Sequence, residues 1–344
     1  MEKIVIFDSG IPKGGENKIF DRAFASRISH TLLPMCYLTE ELAKLGITSI
    51  TPDVFLSSPQ LYKDKQVLLL SHLVSPYTEE LIAHGVTPLL MTCQESPFIA
   101  TRFFINLRHC TALFKNVMLF PGMKKRVSEK TNFIPMYFPE YFVPDTTRKS
   151  IPFSEKKFMV YIASNKETKN LVKTFIIKIL YGFNVQLIYA LRRKMIRHFS
   201  DTGNDFDLYG RGWQNEQESY IAKVYKGEVD DKEAMLRGYK FVLCLENAVF
   251  PGYITEKIFD CFFAGAVPIY IGAPDASLYI PKNTYIDVRD FKTLTDLDQY
   301  LRTMSEDMYN EYLKNIQVFL ASPSYAQFSH TVFAEKVVAL VQAA

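Results

Sequence analysis

Residues 241–274 read FVLCLENAVFPGYITEKIFDCFFAGAVPIYIGAP. An apolar run from Phe241 to Leu245 stops at Glu246 and Asn247. A short loop with Pro251 and Gly252 follows, then Tyr253, a segment of helical character, and a second apolar run from Val267 to Ile271. Strand, loop, helix, strand is the βαβ order of a parallel sheet with a crossover helix. Parallel strands are buried on both faces, so they read as unbroken apolar runs, as both of these do. Ligands of such sheets sit beyond the carboxyl ends of the strands, which is where Glu246 and Asn247 fall. The loop and the first helical turn carry Tyr253, Thr255, Glu256 and Lys257 to the same edge.

Lys257 stands against local preference. Thr255 suits an N-cap, and Glu256 suits the positive end of a helix dipole. A lysine in that turn is unfavourable by a few tenths to about 1 kcal/mol, and departures of this kind collect at functional sites. Lysine and helix amides together form an anion site fit for a phosphate or diphosphate. The alternative is a solvated lysine beside a capping carboxylate.

Working outward, 344 residues exceed what one core usually supports, so two domains are expected. A hydrophobic content of 48%, a charged content of 22% and a net charge of +3 describe an ordinary globular protein and do not point to nucleic acid. Cys36, Cys93, Cys110, Cys244 and Cys261 are odd in number, widely spaced and mostly set in apolar runs. That usage predicts reduced, buried thiols in a cytoplasmic protein and no cysteine metal site. The opening MEKIVIFDSG reads as a strand rather than a secretion signal, and no apolar stretch reaches the roughly 18 residues of a membrane span.

The N-terminal part alternates strands and helices. Strands are predicted at Lys3–Phe7, Ile47–Phe55, Val67–Ser71 and Val86–Cys93, with helical spacing at Thr31–Leu45 and Glu79–Ala83. Glu95, just past the last of these strands, repeats the placement of Glu246. It is a candidate general base, or else a cap for the helix that follows. Residues 121–157, rich in proline, read as the linker, with the boundary near Ser150. Phe158–Ile162 opens the second domain, 151–330, and residues 331–344 are expected to form a helix that packs back on domain 1–150. Two D-x-D pairs, Asp205/Asp207 and Asp296/Asp298, have a spacing that can hold a divalent metal, but neither follows a buried strand, and no metal is predicted.

Glu246-Asn247, Gly252 to Lys257 and Gly265 to Gly272 together resemble the donor-binding signature of the α-1,3-fucosyltransferases, glycosyltransferase family ten. The resemblance covers most of the C-terminal half and, in the N-terminal half, the Glu95-Ser96-Pro97 motif. It implies a GT-B-like α/β fold, with two Rossmann-like domains facing a central cleft. It implies GDP-fucose as donor, no cofactor, and inverting, metal-independent transfer to a hydroxyl of an N-acetylglucosamine or glucose unit in an oligosaccharide or glycolipid. It makes Glu95 the base. Arg192 becomes the diphosphate ligand, counted back from Phe206–Gly210 (FDLYG), with Arg193 the alternative. Tyr209, Glu246, Asn247, Tyr253, Thr255, Glu256 and Lys257 would hold the donor's other groups. A different nucleotide sugar, or a non-catalytic glycan-binding or membrane-binding module on the same fold, are the rival readings.

The stretch 166–197 is longer than the family pattern. It carries eight basic residues against Glu167, with Leu171, Phe175, Ile176, Leu180 and Tyr181 between them. Such a segment can lie on an anionic membrane, which would make the protein peripheral to the inner face. Alternatively it packs its apolar side inward and leaves its charges solvated.

Overall fold

Continuous apolar strands seek partners on both edges and cover on both faces, and the chain answers this twice. The computed structural model describes residues 1–11, 14–28, 30–142, 151–165, 171–181 and 186–344; of residues 171, 173 and 186 it describes only the backbone. The chain divides into two units, Met1–Phe142 with Ala326–Ala344, and Val143–Tyr325. The crossings thus fall at 142/143 and 325/326, against the expected 150 and 331.

The first unit holds a six-stranded parallel sheet: β1 Lys3–Asp8, β2 Thr48–Ile50, β3 Gln66–His72, β4 Thr87–Thr92, β5 Asn116–Leu119 and β6 Asn132–Pro135, in the order β2-β1-β3-β4-β5-β6. The expected strand over Ile47–Phe55 ends at Ile50. Pro52 cannot donate to a ladder but suits the first turn of a helix, and a helix runs over Pro52–Ser57. The proline-rich stretch taken as linker still supplies β6. The last helix, His330–Ala343, lies against the Leu33–Lys44 helix of this unit and buries Phe333, Val337 and Val341. Lys3 Nζ ties it down by donating to the carbonyls of Val341 (2.8 Å) and Gln342 (2.9 Å).

The second unit holds β7 Lys157–Ile162, β9 Phe206–Tyr209, β10 Tyr239–Leu245, β12 Val267–Ile271 and β13 Ile286–Asp287, all parallel, in the order β13-β12-β10-β7-β9. A small antiparallel pair joins β8 Gln186–Leu187 to β11 Ala248–Val249. Strand order reverses between β7 and β10, so their carboxyl ends flank the switch point where this architecture opens a crevice. One face of the sheet packs Met159, Tyr161, Phe241, Leu243 and Leu245 against Met195, Ile196 and Phe199 of the Tyr189–Thr202 helix.

The basic stretch is not one amphipathic helix. Its described parts are the Leu171–Tyr181 helix, which exposes Val172, Phe175 and Ile179, the short β8 and the Tyr189–Thr202 helix. On the latter, Arg192 is buried, Arg193 pairs with Glu216 and Glu218, and Arg197 lies over the Tyr220 ring. Lys166 and Lys169 fall outside the described residues. Among the described residues, no helix is long and apolar enough to cross a membrane.

Candidate active site

The βαβ unit read first in the sequence builds the site. Glu246, directly after β10, is fully buried. Its carboxylate accepts from the Thr255 backbone N–H (2.8 Å) and the Thr255 hydroxyl (2.7 Å), so it latches the strand end to the start of the Glu256–Phe263 helix. Thr255 holds the N-cap position, but its hydroxyl goes to Glu246 and makes no capping bond. The helix amides therefore keep their outward polarity.

Lys257 explains its own unfavourable place in the helix. Its ammonium lies 3.3 Å from Glu246 Oε2 and 3.0 Å from Glu256 Oε1, and donates to Thr255 Oγ1 (2.9 Å). Burial opposes its charge, but Glu256 and Glu246 outweigh that and hold the ammonium well above the usual lysine range. Burial likewise opposes the Glu256 carboxylate, yet Lys257 and then Lys232 bring it down to about 2. Glu246 goes the other way: its burial raises it more than Lys257 and the two Thr255 bonds lower it. The cluster keeps Lys257 cationic and Glu256 anionic at neutral pH.

Arg192 reaches the same edge from its helix. Its Nη2 donates to the carbonyls of Leu245 (3.2 Å) and Glu246 (2.8 Å) and to Asn247 Oδ1 (3.0 Å). Its guanidinium lies 4.8 Å from the Tyr189 ring centroid. Among the described residues, neither Arg192 Nε nor the buried Tyr161 hydroxyl has a hydrogen-bond partner. Arg193 points elsewhere, to Glu216 Oε1 at 2.7 Å and beside Trp213. Of the two arginines, Arg192 is the one at the switch point.

A cavity of about 330 Å³ opens here, in the size range of small-molecule sites. Its wall includes Ser164 after β7, Arg192, Asn247, Glu256, Lys257 and Lys232. The structure thus brings Arg192, Asn247, Glu256 and Lys257 together around one space, with Glu246 and Thr255 behind them. Neither Tyr253 nor Tyr209 lines this space, although Tyr253 lies near enough to act on the Lys257 charge. Tyr253 is buried and stacked on Phe250 at 4.4 Å, and Tyr209 ends β9 with its hydroxyl toward Tyr239. Lys232 and Tyr161 were missed by sequence reasoning. Lys232 lies on a separate helix, Lys232–Arg237, and Tyr161 sits within an apolar strand; nothing local marks either.

In the first unit, Glu95 follows β4 and is partly exposed. It is not the cap of the following helix, because Ala100 holds that position before Thr101–Ile105. The two D-x-D pairs are committed internally. Asp205 pairs with Arg302, Asp207 accepts from the Tyr239 hydroxyl, Asp296 closes a capping box with Thr293, and Asp298 accepts from Arg302. Among the described residues no group of three His, Cys, Asp or Glu side chains is placed to hold a metal ion, and the five cysteines are buried free thiols.

Solved structures of glycosyltransferases share this fold. An α1,3-fucosyltransferase with GDP superposes with a TM-score of 0.56 at 16% identity, covering 99% of this chain and 91% of that one. Anabaena HepE in complex with UDP and glucose superposes with a TM-score of 0.59 at 10% identity, covering all of both chains. The fold is GT-B-like, with two parallel sheets. The family profile described as glycosyltransferase family 10 (fucosyltransferase) C-term matches residues 155–337, more than half of the chain, and the chain belongs to that family. It is similar to alpha-(1,3)-fucosyltransferase B of Drosophila melanogaster, 23% identical over 236 residues, or 64% of this chain and 45% of that one. It is also similar to alpha-(1,3)-fucosyltransferase FucT of Helicobacter pylori, 38% identical over 74 residues, or 22% of this chain and 16% of that one. The chain spans less than half the length of these curated relatives.

Proposed function

We propose that the protein transfers fucose from GDP-fucose to a hydroxyl of an N-acetylglucosamine or glucose unit in an oligosaccharide or glycolipid, forming an α-1,3 linkage with inversion. The observation that carries this is the pairing of Arg192 and Lys257 around one cavity at the β7/β10 switch point, in a chain of the fucosyltransferase family. Glu95 takes the proton of the acceptor hydroxyl as its oxygen bonds to the anomeric carbon. The bond from that carbon to the β-phosphate oxygen breaks, and GDP leaves with the electron pair. Arg192, Lys257 and the helix amides beside Thr255 stabilise the charge that develops on the diphosphate, a role that fixed cations fill well in a partly dehydrated site. Asn247 and Glu256, on the cavity wall, hold other groups of the donor. No cofactor or metal takes part in this scheme, and EDTA is expected to leave the rate unchanged.

The test is GDP release from GDP-fucose against a panel of other nucleotide sugars, followed by linkage analysis of the product on N-acetyllactosamine-type acceptors. Release from a UDP-sugar instead would move the assignment to a different donor, and binding without turnover would make the protein a glycan-binding module. Glu95→Gln should lower turnover about 10²- to 10⁴-fold with GDP affinity intact. Unchanged turnover would remove Glu95 from the scheme. A cytoplasmic enzyme peripheral to an anionic membrane completes the proposal. The exposed Val172, Phe175 and Ile179 support it, as does the exposed Arg197, whereas the buried Arg192 and the ion-paired Arg193 do not. Co-sedimentation with anionic but not neutral liposomes, lost at high salt, is the expected result; no binding to either excludes membrane contact.

A further inference from the structure

The cavity wall contains a third cation. Lys232 begins the Lys232–Arg237 helix, whose N-cap Asp231 accepts from the Ala234 N–H. Its ammonium lies 2.5 Å from Asp260 Oδ2, on the turn of the neighbouring helix that follows Glu256 and Lys257. Glu256 and Asp260 both hold Lys232 as a cation, against burial and against Lys257. The Lys232 side chain is 40% exposed, twice the figure for Lys257.

The charges around this wall decide what can enter. On the wall itself Arg192, Lys232 and Lys257 stand with Glu256, while Asp260 and Glu246 lie behind Lys232 and Lys257. Counted together with those two carboxylates, the cluster without Lys232 holds three acids against two cations. With it the set is balanced, and the flexible stem and three donors of a lysine let one ammonium keep Asp260 and still meet a phosphate oxygen. A lysine that only clamped two helices together would have no need to line the cavity.

We infer that Lys232 is a donor-binding residue that contacts the terminal phosphate of the nucleoside diphosphate and sets the preference for diphosphate over monophosphate. This rests on the GDP-fucose reading above. The structural alternative is a plain Lys232–Asp260 clamp, and the two accounts assign opposite signs to Asp260. Calorimetric titration with GDP and with GMP, on the wild type, Lys232→Gln and Asp260→Asn, separates them, with thermal melts as a check on folding. The expected result is roughly tenfold weaker GDP binding by Lys232→Gln, from loss of a charge-assisted contact, with GMP affected less. Asp260→Asn, which releases the lysine and removes a repelling carboxylate, should bind GDP as tightly as wild type or more tightly. Wild-type GDP affinity in Lys232→Gln, equal losses for GDP and GMP, or a loss in Asp260→Asn that parallels Lys232→Gln would each overturn the inference. A wild-type protein that binds no GDP would instead overturn the donor assignment on which it rests.

Discussion

At the scale of single residues, the site depends on a buried carboxylate that touches no part of the cavity. Glu246 orders Thr255 and steadies Lys257 from behind. Glu246→Ala should therefore cost about 2 to 4 kcal/mol of stability, because it strands the two Thr255 donors and removes a partner of a buried ammonium. Urea unfolding measures this, and a change below about 0.5 kcal/mol, the range of ordinary surface substitutions, would show that the latch is dispensable. Lys257→Ala is a different experiment. GDP and GDP-fucose should weaken alike by about 1.5 to 3 kcal/mol while guanosine is little changed. Equal weakening of guanosine would mean that the whole site had collapsed.

At the scale of elements, strand ends matter more than strands. Gly272 follows β12, and a Cβ there would come within 2.5 Å of Glu246 Cγ and 2.2 Å of the Tyr270 hydroxyl. Gly272→Ala should push Glu246 off Thr255 and weaken GDP binding while the sheet persists; unchanged affinity would show that the latch tolerates displacement. A second strand end carries a pH signature. His72 ends β3 among Phe7, Leu70, Leu90 and Phe333, and burial brings its imidazole down to about 4. The unfolded chain binds that proton from about pH 6.5 downward and the folded chain only near pH 4, so this histidine removes stability as pH falls through that interval. His72→Gln should flatten the slope of stability against pH between 6.5 and 4 relative to wild type. An unchanged slope would assign the acid sensitivity to other groups.

The same scale shows what could be read from residues alone. Apolar runs broken by Glu246-Asn247 and by Gln94-Glu95 announced parallel strands and the edges where chemistry collects, because burial on both faces leaves an unmistakable pattern. Lys257, singled out by its place in the first helical turn, lines the cavity. Tyr253 and Tyr209 do not line the cavity, and proximity in sequence does not reveal which way an aromatic ring turns. Lys232 was invisible for the opposite reason, since its relation to Asp260 spans 28 residues and exists only after two helices pack. Ile47–Phe55 was read through a proline that in fact ended the strand.

At the scale of the whole molecule, the first unit is made from both ends of the chain. Phe333, Val337 and Val341 are buried against it, and at about 1.5 to 3 kcal/mol for each large apolar side chain their loss approaches the entire stability of a domain. Deleting residues 330–344 should leave this unit unfolded by circular dichroism and open to proteolysis; a deletion variant whose β1–β6 sheet stays protected would contradict that.

The closing helix also imposes an order in time. A ribosome emits residues 1–142 well before residues 326–344, and the whole span that carries Arg192, Lys232 and Lys257 is made between them. The nascent chain therefore holds the Leu33–Lys44 helix without its partner, the His330–Ala343 helix, while the second unit is being made. The first unit is therefore the later of the two to have all of its residues.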